Sequence, residues 1–343
     1  MRALALLALA CSSCFYVDYI QQGAGGQLEI LTQGRPIDEV VRDPQTPLRT
    51  AMMLAEIPAI RDYGRSYGLN ITHNYQKYVR INRPAAVWFV NAADPLSFTP
   101  RPYCFPIVGC FPGLGWFDED DGIKFEQGLE KEGLDAQIRP ASAYSTGGWF
   151  ADPILSTMLT GGDDGLPYLA NTILHESVHA TVLIPDEQFF NETYASYIAD
   201  VLTDHWIEIR FGPGSPEDLA HNLGNAFALP RTARTLATYD ALKTLYAGKE
   251  SREVKLKKKA QIIDELVTDL HLRKRPNNAS LTEARLYNGG TEILREAHKA
   301  CGDVRSLIDA SKDLRREQFT KTLQEDLKPI GAWLAQRCRQ KHH

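Results

Sequence analysis

The residues of this chain with the clearest capacity for chemistry are His175-Glu176-Ser177-Val178-His179, followed by Asn191-Glu192. On a helix of about 3.6 residues per turn, His175 and His179 lie one turn apart on one face, so both imidazoles can bind a single ion. This spacing is typical of a zinc hydrolase, in which three protein ligands leave one position for water. Glu176 is placed to take the proton of that water as general base. We therefore predict one Zn2+ per chain.

Glu192 is the predicted third ligand. Twelve residues separate it from His179, which allows the first helix to end, the chain to turn at Pro185-Asp186 and a second helix to bring the carboxylate back. A site with a third histidine would need Gly at position 182 and His at position 185, where Val182 and Pro185 stand. The third ligand is thus better assigned to Glu192.

The pattern of two histidines has two free positions and can arise by chance. Against chance, Ile173, Leu174 and Val178 give the first helix a buried apolar side. Ala195 and Ala199 follow Glu192 at i+3 and i+7, and such small side chains would let the two helices approach closely. Both features favour a metal site inside the core.

A peptidase also needs a donor for the oxyanion that forms when water attacks the peptide carbonyl. Tyr144 and Tyr287 are both candidates, and the sequence does not choose between them. Tyr144 opens a segment of extended-chain composition that continues through Ser145, Thr146, Gly147 and Gly148. Because glycines let another backbone come close, the segment is either an edge that binds the peptide substrate through main-chain hydrogen bonds or a bulged core hairpin.

The composition is that of a globular protein. The chain has 343 residues, of which 43% are hydrophobic and 24% charged, enough for one large domain or two smaller ones. A formal charge of -5 gives no reason to expect a nucleic acid partner. The basic run from Lys255 to Lys259 is predicted to be the solvated face of a helix.

The N-terminus predicts export. Arg2 precedes an apolar run from Ala3 to Ala10 that is too short to span a bilayer but suits a signal peptide. Cys11 follows small residues, as in a bacterial lipoprotein, and is the preferred lipidation site. Lipidation at Cys14 is an alternative, and so is ordinary secretory cleavage without a lipid. We therefore expect residues 1–14 to be a processing region, the mature protein to be anchored in the cell envelope, and a tether to continue to Pro36.

Four further cysteines agree with an oxidising compartment. Cys104 and Cys110 lie in a loop rich in Pro and Gly, and Cys301 and Cys338 lie in the helical C-terminal part. Two disulfides are plausible there, but four cysteines permit three pairings and the sequence does not fix one.

The patterns indicate an α+β fold. A run of β-formers beginning at Ala85 predicts a central strand, Asp118 caps a predicted helix closed by Gly133, and a short apolar helix is predicted from Ile154 to Leu159. Beyond Gly214 the pattern is almost entirely helical, with a hairpin that turns near Gly248 and two last helices. We expect one domain over residues 15–343, with a mixed α/β lobe over about 27–165, metal helices over about 167–210 and a mostly helical lobe over about 215–340.

Several segments resemble a bacterial family of predicted zinc aminopeptidases, which are predicted lipoproteins with two His ligands and a downstream Glu. The matching segments span most of the chain: Gln27–Leu31, Phe105–Cys110, Ala143–Thr146, Gly148–Pro153, Leu174–His179, Phe190–Glu192 and Asn277–Ala279. Gly147 stands where the family more often has Leu, and Val178-His179-Ala180 where it more often has Ala-His-Gln, but neither departure removes a ligand.

The resemblance implies a zinc-dependent aminopeptidase with a zincin-like fold. The spacing of the ligands does not distinguish an exopeptidase from an endopeptidase. A second class also fits, a non-catalytic envelope lipoprotein in which zinc only joins two helices. The presence of three ligands with an adjacent base favours the catalytic interpretation.

Overall fold

A computed structural model of the chain describes residues 2–71, 73–105, 109–143, 151–159, 162 and 165–341, with the backbone alone for residues 2–14. The predicted α+β class is confirmed, because small sheets in the N-terminal half precede a helical C-terminal half. The helices are α1 (Arg2–Thr32), α2 (Ile37–Arg42), α3 (Leu48–Ser66), α4 (Glu119–Lys131), α5 (Gly165–His179), α6 (Gln188–Phe211), α7 (Pro216–Ala247), α8 (Arg252–Leu270), α9 (Asn278–Asn288), α10 (Thr291–Cys301), α11 (Val304–Ser311) and α12 (Lys328–Lys341).

The strands form two sheets and a hairpin. Their bounds are β1 (Arg35–Pro36), β2 (Lys77–Val79), β3 (Val87–Ala93), β4 (Tyr103–Phe105), β5 (Gly109–Phe111), β6 (Gly113–Trp116), β7 (Asp135–Ala141) and β8 (Ile154–Leu155). One sheet has the order β6-β3-β7 and is antiparallel, so the run that begins at Ala85 does supply a central strand. The other has the order β1-β2-β8, with β2 and β8 parallel.

The segment from Tyr19 to Pro36 is not the slack tether that was expected. It belongs mostly to α1, whose Gln22 binds the chain around β6 in both directions, donating to the carbonyl of Gly115 and accepting from the amide of Phe117. Tyr19 packs its ring 5.3 Å from that of Trp116, and Ile30 is buried. These contacts bury one side of the helix, which a glycine-rich composition did not reveal.

The helix predicted between Asp118 and Gly133 is present as α4. Asp118 caps α4 by accepting from the amide of Asp121, and Gly133 adopts a φ of 83° after the helix, a conformation that favours glycine. Ile154 and Leu155, however, are a strand that pairs with β2, and only Ser156–Met158 form a short 3-10 turn. The predicted apolar helix at Ile154 was wrong because two buried residues in a row suit a strand with two covered faces equally well.

The helical half begins with the hairpin of α7 and α8, which turns near Gly248 as predicted. Four helices then follow where two were predicted, because Gly289-Gly290 and Gly302 end α9 and α10. The disulfides are Cys104–Cys110, across the β4–β5 hairpin, and Cys301–Cys338, between α10 and α12.

Lys259 contradicts the prediction of a solvated basic face. It is buried, and its ammonium binds the Asp135 carboxylate and donates to the carbonyl of Pro95 at 2.9 Å. The lysine therefore joins α8 to the start of β7. Among the described residues, no helix combines the length and the apolar character that crossing a membrane would require.

Candidate metal centre

The predicted metal ligands lie on α5 and α6, two neighbouring helices in the largest hydrophobic core. Leu174 and Val178 of α5 and Ala195 and Ala199 of α6 are fully buried in that core. Burial of these apolar sides fixes the rotation of each helix, so the polar side chains between them face one another.

Helix α5 ends at His179, the second histidine of the metal group. Just beyond the helix, the side chain of Asn70 donates to the carbonyl of Ala180 at 3.1 Å, and the amide of Asn70 donates to Thr181 Oγ1 at 2.7 Å. The last carbonyl groups of the helix accept from the residues that follow it, with Ala180 donating to Glu176 and Val182 to Val178. Asn70 therefore holds the turn beyond the helix.

Asn191 holds the loop between the two helices. Its side-chain amide donates to the carbonyl of Ile184 at 2.8 Å, and its side-chain oxygen accepts from the amide of Ile184 at 2.9 Å. Glu187, which is fully buried, accepts from the amide of Gln324 at 2.9 Å. These bonds determine where α6 starts, and therefore where Glu192 lies.

The three predicted ligands meet at one point. His175 Nε2 and His179 Nε2 are 3.1 Å apart, and they lie 3.5 Å and 3.6 Å from the two carboxylate oxygens of Glu192. Each side chain is between 15% and 19% exposed, so the group is accessible from one side only. Among the described residues, these three side chains form the one group of His, Cys, Asp and Glu with metal-binding geometry.

The group fits zinc. Bonds of about 2.0–2.1 Å in a tetrahedron place neighbouring ligand atoms roughly 3.3 Å apart, close to the separations found here. Two imidazoles and one carboxylate are also a donor set that zinc accepts. Three ligands leave a tetrahedral ion one open position. His179 Nδ1 is buried without a hydrogen-bond partner in the described part of the chain.

Electrostatics couple the Glu192 carboxylate to the two histidines. Burial alone would raise the pKa of Glu192, but its contacts with His175 and His179 outweigh burial and lower that pKa well below its usual range. For His179 the two effects are reversed. Burial alone would lower its pKa, but the Glu192 carboxylate has the larger effect and raises that pKa. Glu192 is therefore ionised at neutral pH and pairs with the imidazoles that a cation would use.

Glu176 lies beside the ligands and is enclosed. Burial raises its pKa, and the charges of His179 and His175 partly oppose that rise. The charge of Glu176 also adds to the rise in the pKa of Tyr75, a buried residue that the sequence did not single out. Tyr75 adopts a φ of 63°, which is uncommon outside glycine, and its amide donates to the carbonyl of Asp152 at 2.7 Å.

Of the two predicted oxyanion donors, the structure brings Tyr287 to the site. Its ring centre lies 6.3 Å from that of His175. Burial raises the pKa of its hydroxyl, and the charge of Glu192 raises it further, so the group stays protonated. Thr193, next to the third ligand, donates to the carbonyl of Leu286 at 2.7 Å and so joins α6 to α9 just before Tyr287.

Other predicted site residues cannot be placed. Tyr144, Ser145, Thr146, Gly147 and Gly148 lie outside the described residues, as does the side chain of Cys11 within α1. The prediction of a substrate edge upstream of the metal helix therefore stays a prediction.

Sequence reasoning missed one polar cluster near the site, formed by Arg139 and Gln137 of β7 and Glu283 of α9. Arg139 forms an ion pair with Glu283, and Gln137 Nε2 donates to the same carboxylate at 2.6 Å. The spacing of Glu283 and Tyr287, four residues apart on one helix, was the signal that could have pointed to Glu283. Nothing local could have pointed to its partners on β7.

Comparison with known proteins gives one result. The model of the family described as "Putative aminopeptidase" matches residues 18–325, which is most of the chain and includes every residue of the metal group. No curated protein and no solved structure matches the chain. Because the match extends from α1 to the segment before α12, the protein belongs to the family described as "Putative aminopeptidase".

Proposed function

We propose that this protein is a zinc-dependent peptidase that hydrolyses peptide bonds, acting as an aminopeptidase. The family description supports the peptidase activity. The observation that carries the zinc-dependent mechanism is the meeting of His175, His179 and Glu192 beside the enclosed carboxylate of Glu176. His175, His179 and Glu192 would hold the ion.

A bound zinc ion supplies positive charge that polarises the scissile carbonyl and makes water more acidic. Glu176 accepts a proton from the attacking water as its oxygen bonds to the carbonyl carbon, and then delivers that proton to the leaving amine nitrogen as the C–N bond breaks. Tyr287 donates a hydrogen bond to the oxyanion formed between these steps. The products are a carboxylic acid and a free amine.

We also propose a zincin-like fold and a location in the bacterial cell envelope. The helix pair α5–α6 beside a sheet-containing lobe supports the fold. Arg2 with the apolar run to Ala10, followed by Cys11, supports export and attachment of a lipid to Cys11. The peptide substrate would then be met outside the cytoplasm, with no role for nucleic acid.

A structural zinc site in a non-catalytic envelope protein is the competing function. A closed structural site normally has four protein ligands. In the part of the chain that the structure describes, the group contains three, which supports an open site. A zinc endopeptidase would use the same residues, and the two activities differ only in how the ends of the substrate are bound.

The Glu176→Gln substitution tests the mechanism. Purified protein should contain about one zinc per chain and cleave aminoacyl or internally quenched peptides, whereas the variant should keep its zinc and lose about 10²- to 10⁴-fold in kcat/KM. Glu208→Gln, an exposed position on α6, is the matched control and should behave as wild type. Full activity of the Glu176 variant with zinc bound would exclude this mechanism, and wild-type protein with zinc but no turnover would favour the structural site.

A further inference from the structure

The polar cluster on β7 and α9 contains an arginine whose position is tightly fixed. The Arg139 guanidinium pairs through Nε with the Glu283 carboxylate, and its central carbon lies 5.1 Å from the centre of the Phe89 ring on the neighbouring strand. Gln137, on the same side of β7, holds the other oxygen of Glu283 at 2.6 Å. The carboxylate and the ring together set the plane of the guanidinium.

This guanidinium lies on the side of the metal group where Tyr287 adjoins His175. Glu283 is one helical turn from Tyr287, whose ring centre lies 6.3 Å from that of His175. The charges of Arg139 and Glu283 both act on the hydroxyl of Tyr287, and that of Glu192 acts on Glu283. The cluster therefore lies next to Tyr287, on one side of the metal group.

Arg139 has hydrogen-bonding capacity that the protein does not use. Among the described residues, neither Nη1 nor Nη2 has a hydrogen-bond partner, and Nε is enclosed with no well-aligned bond despite the ion pair. The side chain is 36% exposed, whereas Glu283 is 16% exposed. An arginine with a fixed plane and free terminal nitrogens is suited to bind a carboxylate through two parallel bonds.

Glu283 is a poorer candidate for a ligand-binding group. Both of its oxygens already face a donor, one from Arg139 and the other from Gln137. The neutral pair thus leaves Arg139, rather than Glu283, as the group open to a ligand.

We propose that Arg139 binds a carboxylate of the peptide substrate, which makes short peptides with a free C-terminus the substrate class of this site. The inference rests on the proposed peptidase function. An extended peptide advances about 3.3–3.6 Å per residue, so two or three residues beyond the cleaved bond carry the terminal carboxylate about 7–11 Å from the reacting carbonyl. Arg139 would then select substrates by the number of residues between the cleaved bond and the C-terminus.

The test compares matched peptides with and without the carboxylate. One pair is an alanine tetrapeptide with a free or an amidated C-terminus, and the other is an amidated peptide with Asp or Asn after the cleaved bond. Wild-type protein should favour the carboxylate by about 10- to 100-fold in kcat/KM, as expected for charge-assisted hydrogen bonds. Arg139→Gln should remove this preference, and Arg139→Lys should keep a small part of it because the charge remains without the planar fork.

Controls separate binding from a structural role. Arg101→Gln, an exposed arginine paired with Glu132, should leave the preference unchanged. If Arg139 only joins β7 to α9, its variants lower the melting temperature but do not change the ratio between free and amidated peptides. Calorimetry of the same peptides with the zinc-loaded Glu176→Gln variant and with the Glu176→Gln/Arg139→Lys double variant gives a second reading that does not require turnover.

The outcomes are distinct. Discrimination by the terminal pair supports binding of the C-terminus, and discrimination by the Asp/Asn pair alone supports the same arginine binding an acidic side chain. Equal cleavage and equal binding of all four peptides overturns the inference while the peptidase function stands. Failure to cleave any peptide overturns the proposed function, and equal calorimetric affinities would then overturn the inference separately.

Discussion

At the scale of single side chains, the proposed reaction depends on how burial adjusts two acids near the ligands. The carboxyl of Glu176 has a raised pKa because it is enclosed, which makes it a stronger base for the proton of water than an exposed carboxylate. The hydroxyl of Tyr287 stays protonated for the same reason and can donate throughout the reaction. Enclosure is thus the main cause of both raised pKa values, and the neighbouring charges contribute less.

Tyr287→Phe should lower kcat/KM by about 10²- to 10³-fold, as expected when an oxyanion donor is removed from a preorganised site. Zinc content should not change, because the tyrosine is not a ligand. Peptide assays together with metal analysis measure both quantities. Tyr197→Phe serves as the control. It removes a hydroxyl that bonds to His298 at 2.9 Å, and this bond lies away from the metal group. Equal activity of the two variants would assign the oxyanion to another donor.

At the scale of secondary structure elements, the site depends on the short connection between α5 and α6. Three buried groups fix it: Asn191 spans the loop, Glu187 receives the amide of Gln324, and Thr193 binds the chain before Tyr287. The ligands are thus held by backbone positions as well as by their own helices.

Asn191→Ala should lower the free energy of unfolding by about 2–4 kcal/mol, because two hydrogen bonds are lost and both polar groups of Ile184 stay buried. It should also weaken zinc binding, since Glu192 is the next residue. Denaturant titration and competition with a zinc chelator measure the two effects. The same substitution at Asn222, an exposed residue of α7 that bonds only to Asp218, should have little effect on either.

The junction of α11 and α12 predicts a pH dependence of stability. Asp313 accepts hydrogen bonds from Lys341 and Arg337 at 2.8–2.9 Å. Both bonds lower the pKa of its carboxyl, and the bond from Lys341 has the larger effect. Because folding lowers the pKa of Asp313, these bonds stabilise the folded protein fully above the unfolded pKa of about 3.9. The stabilisation is lost as the pH falls through the pKa of the folded protein. Because the group is partly exposed, the contribution is at most about 1 kcal/mol.

Asp313→Asn should therefore reduce the melting temperature slightly at pH 7, and by a smaller amount as the pH falls below about 3.9. Thermal unfolding of both proteins across this range gives the difference. A difference that persists at low pH would assign the effect to packing and not to charge.

At the scale of the whole molecule, the two disulfides close loops of different length. Cys301–Cys338 spans 37 positions and joins α10 to α12, whereas Cys104–Cys110 spans 6 within one hairpin. In the chain-entropy description, a longer closed loop removes more freedom from the unfolded chain. The helical lobe should thus depend more on oxidation than the sheet-containing lobe.

Replacing Cys301 and Cys338 by Ser should lower the free energy of unfolding by about 3–4 kcal/mol, and replacing Cys104 and Cys110 by about 2 kcal/mol. Denaturant titration of the two double variants under oxidising conditions measures the order. If the variant without Cys104 and Cys110 were the less stable of the two, local strain or packing would outweigh the entropy of loop closure.

The metal group was predictable from sequence because its geometry is local. Two histidines four apart need only a helix to meet, and Glu192 needs only a second helix that returns. The sequence left Tyr144 and Tyr287 as candidate oxyanion donors. It could not show that Tyr287 lies near His175, because that contact depends on the packing of α9 on α6. Arg139 was not predictable at all, since strand periodicity says nothing about which helix crosses β7.

The same contrast applies to the fold. The capped helix α4 and the hairpin of α7 and α8 follow from local signals. Lys259 was wrongly assigned to solvent, because its partners Asp135 and Pro95 are distant in sequence and its neighbours in the chain are exposed. Packing of α1 on β6 was missed for the same reason.

The end of α5 at His179 has an electrostatic consequence. The C-terminus of a helix carries a partial negative charge of about half an electron, and the N-terminus a matching positive one. Because α5 stops at its second histidine, its negative end lies beside the point where the three ligands meet. Helix α6 begins at Gln188, so Glu192 is its fifth residue, and its side chain leans back toward the positive end of the helix. The two helices thus present opposite poles, one attracting a cation and the other stabilising the anion that binds it.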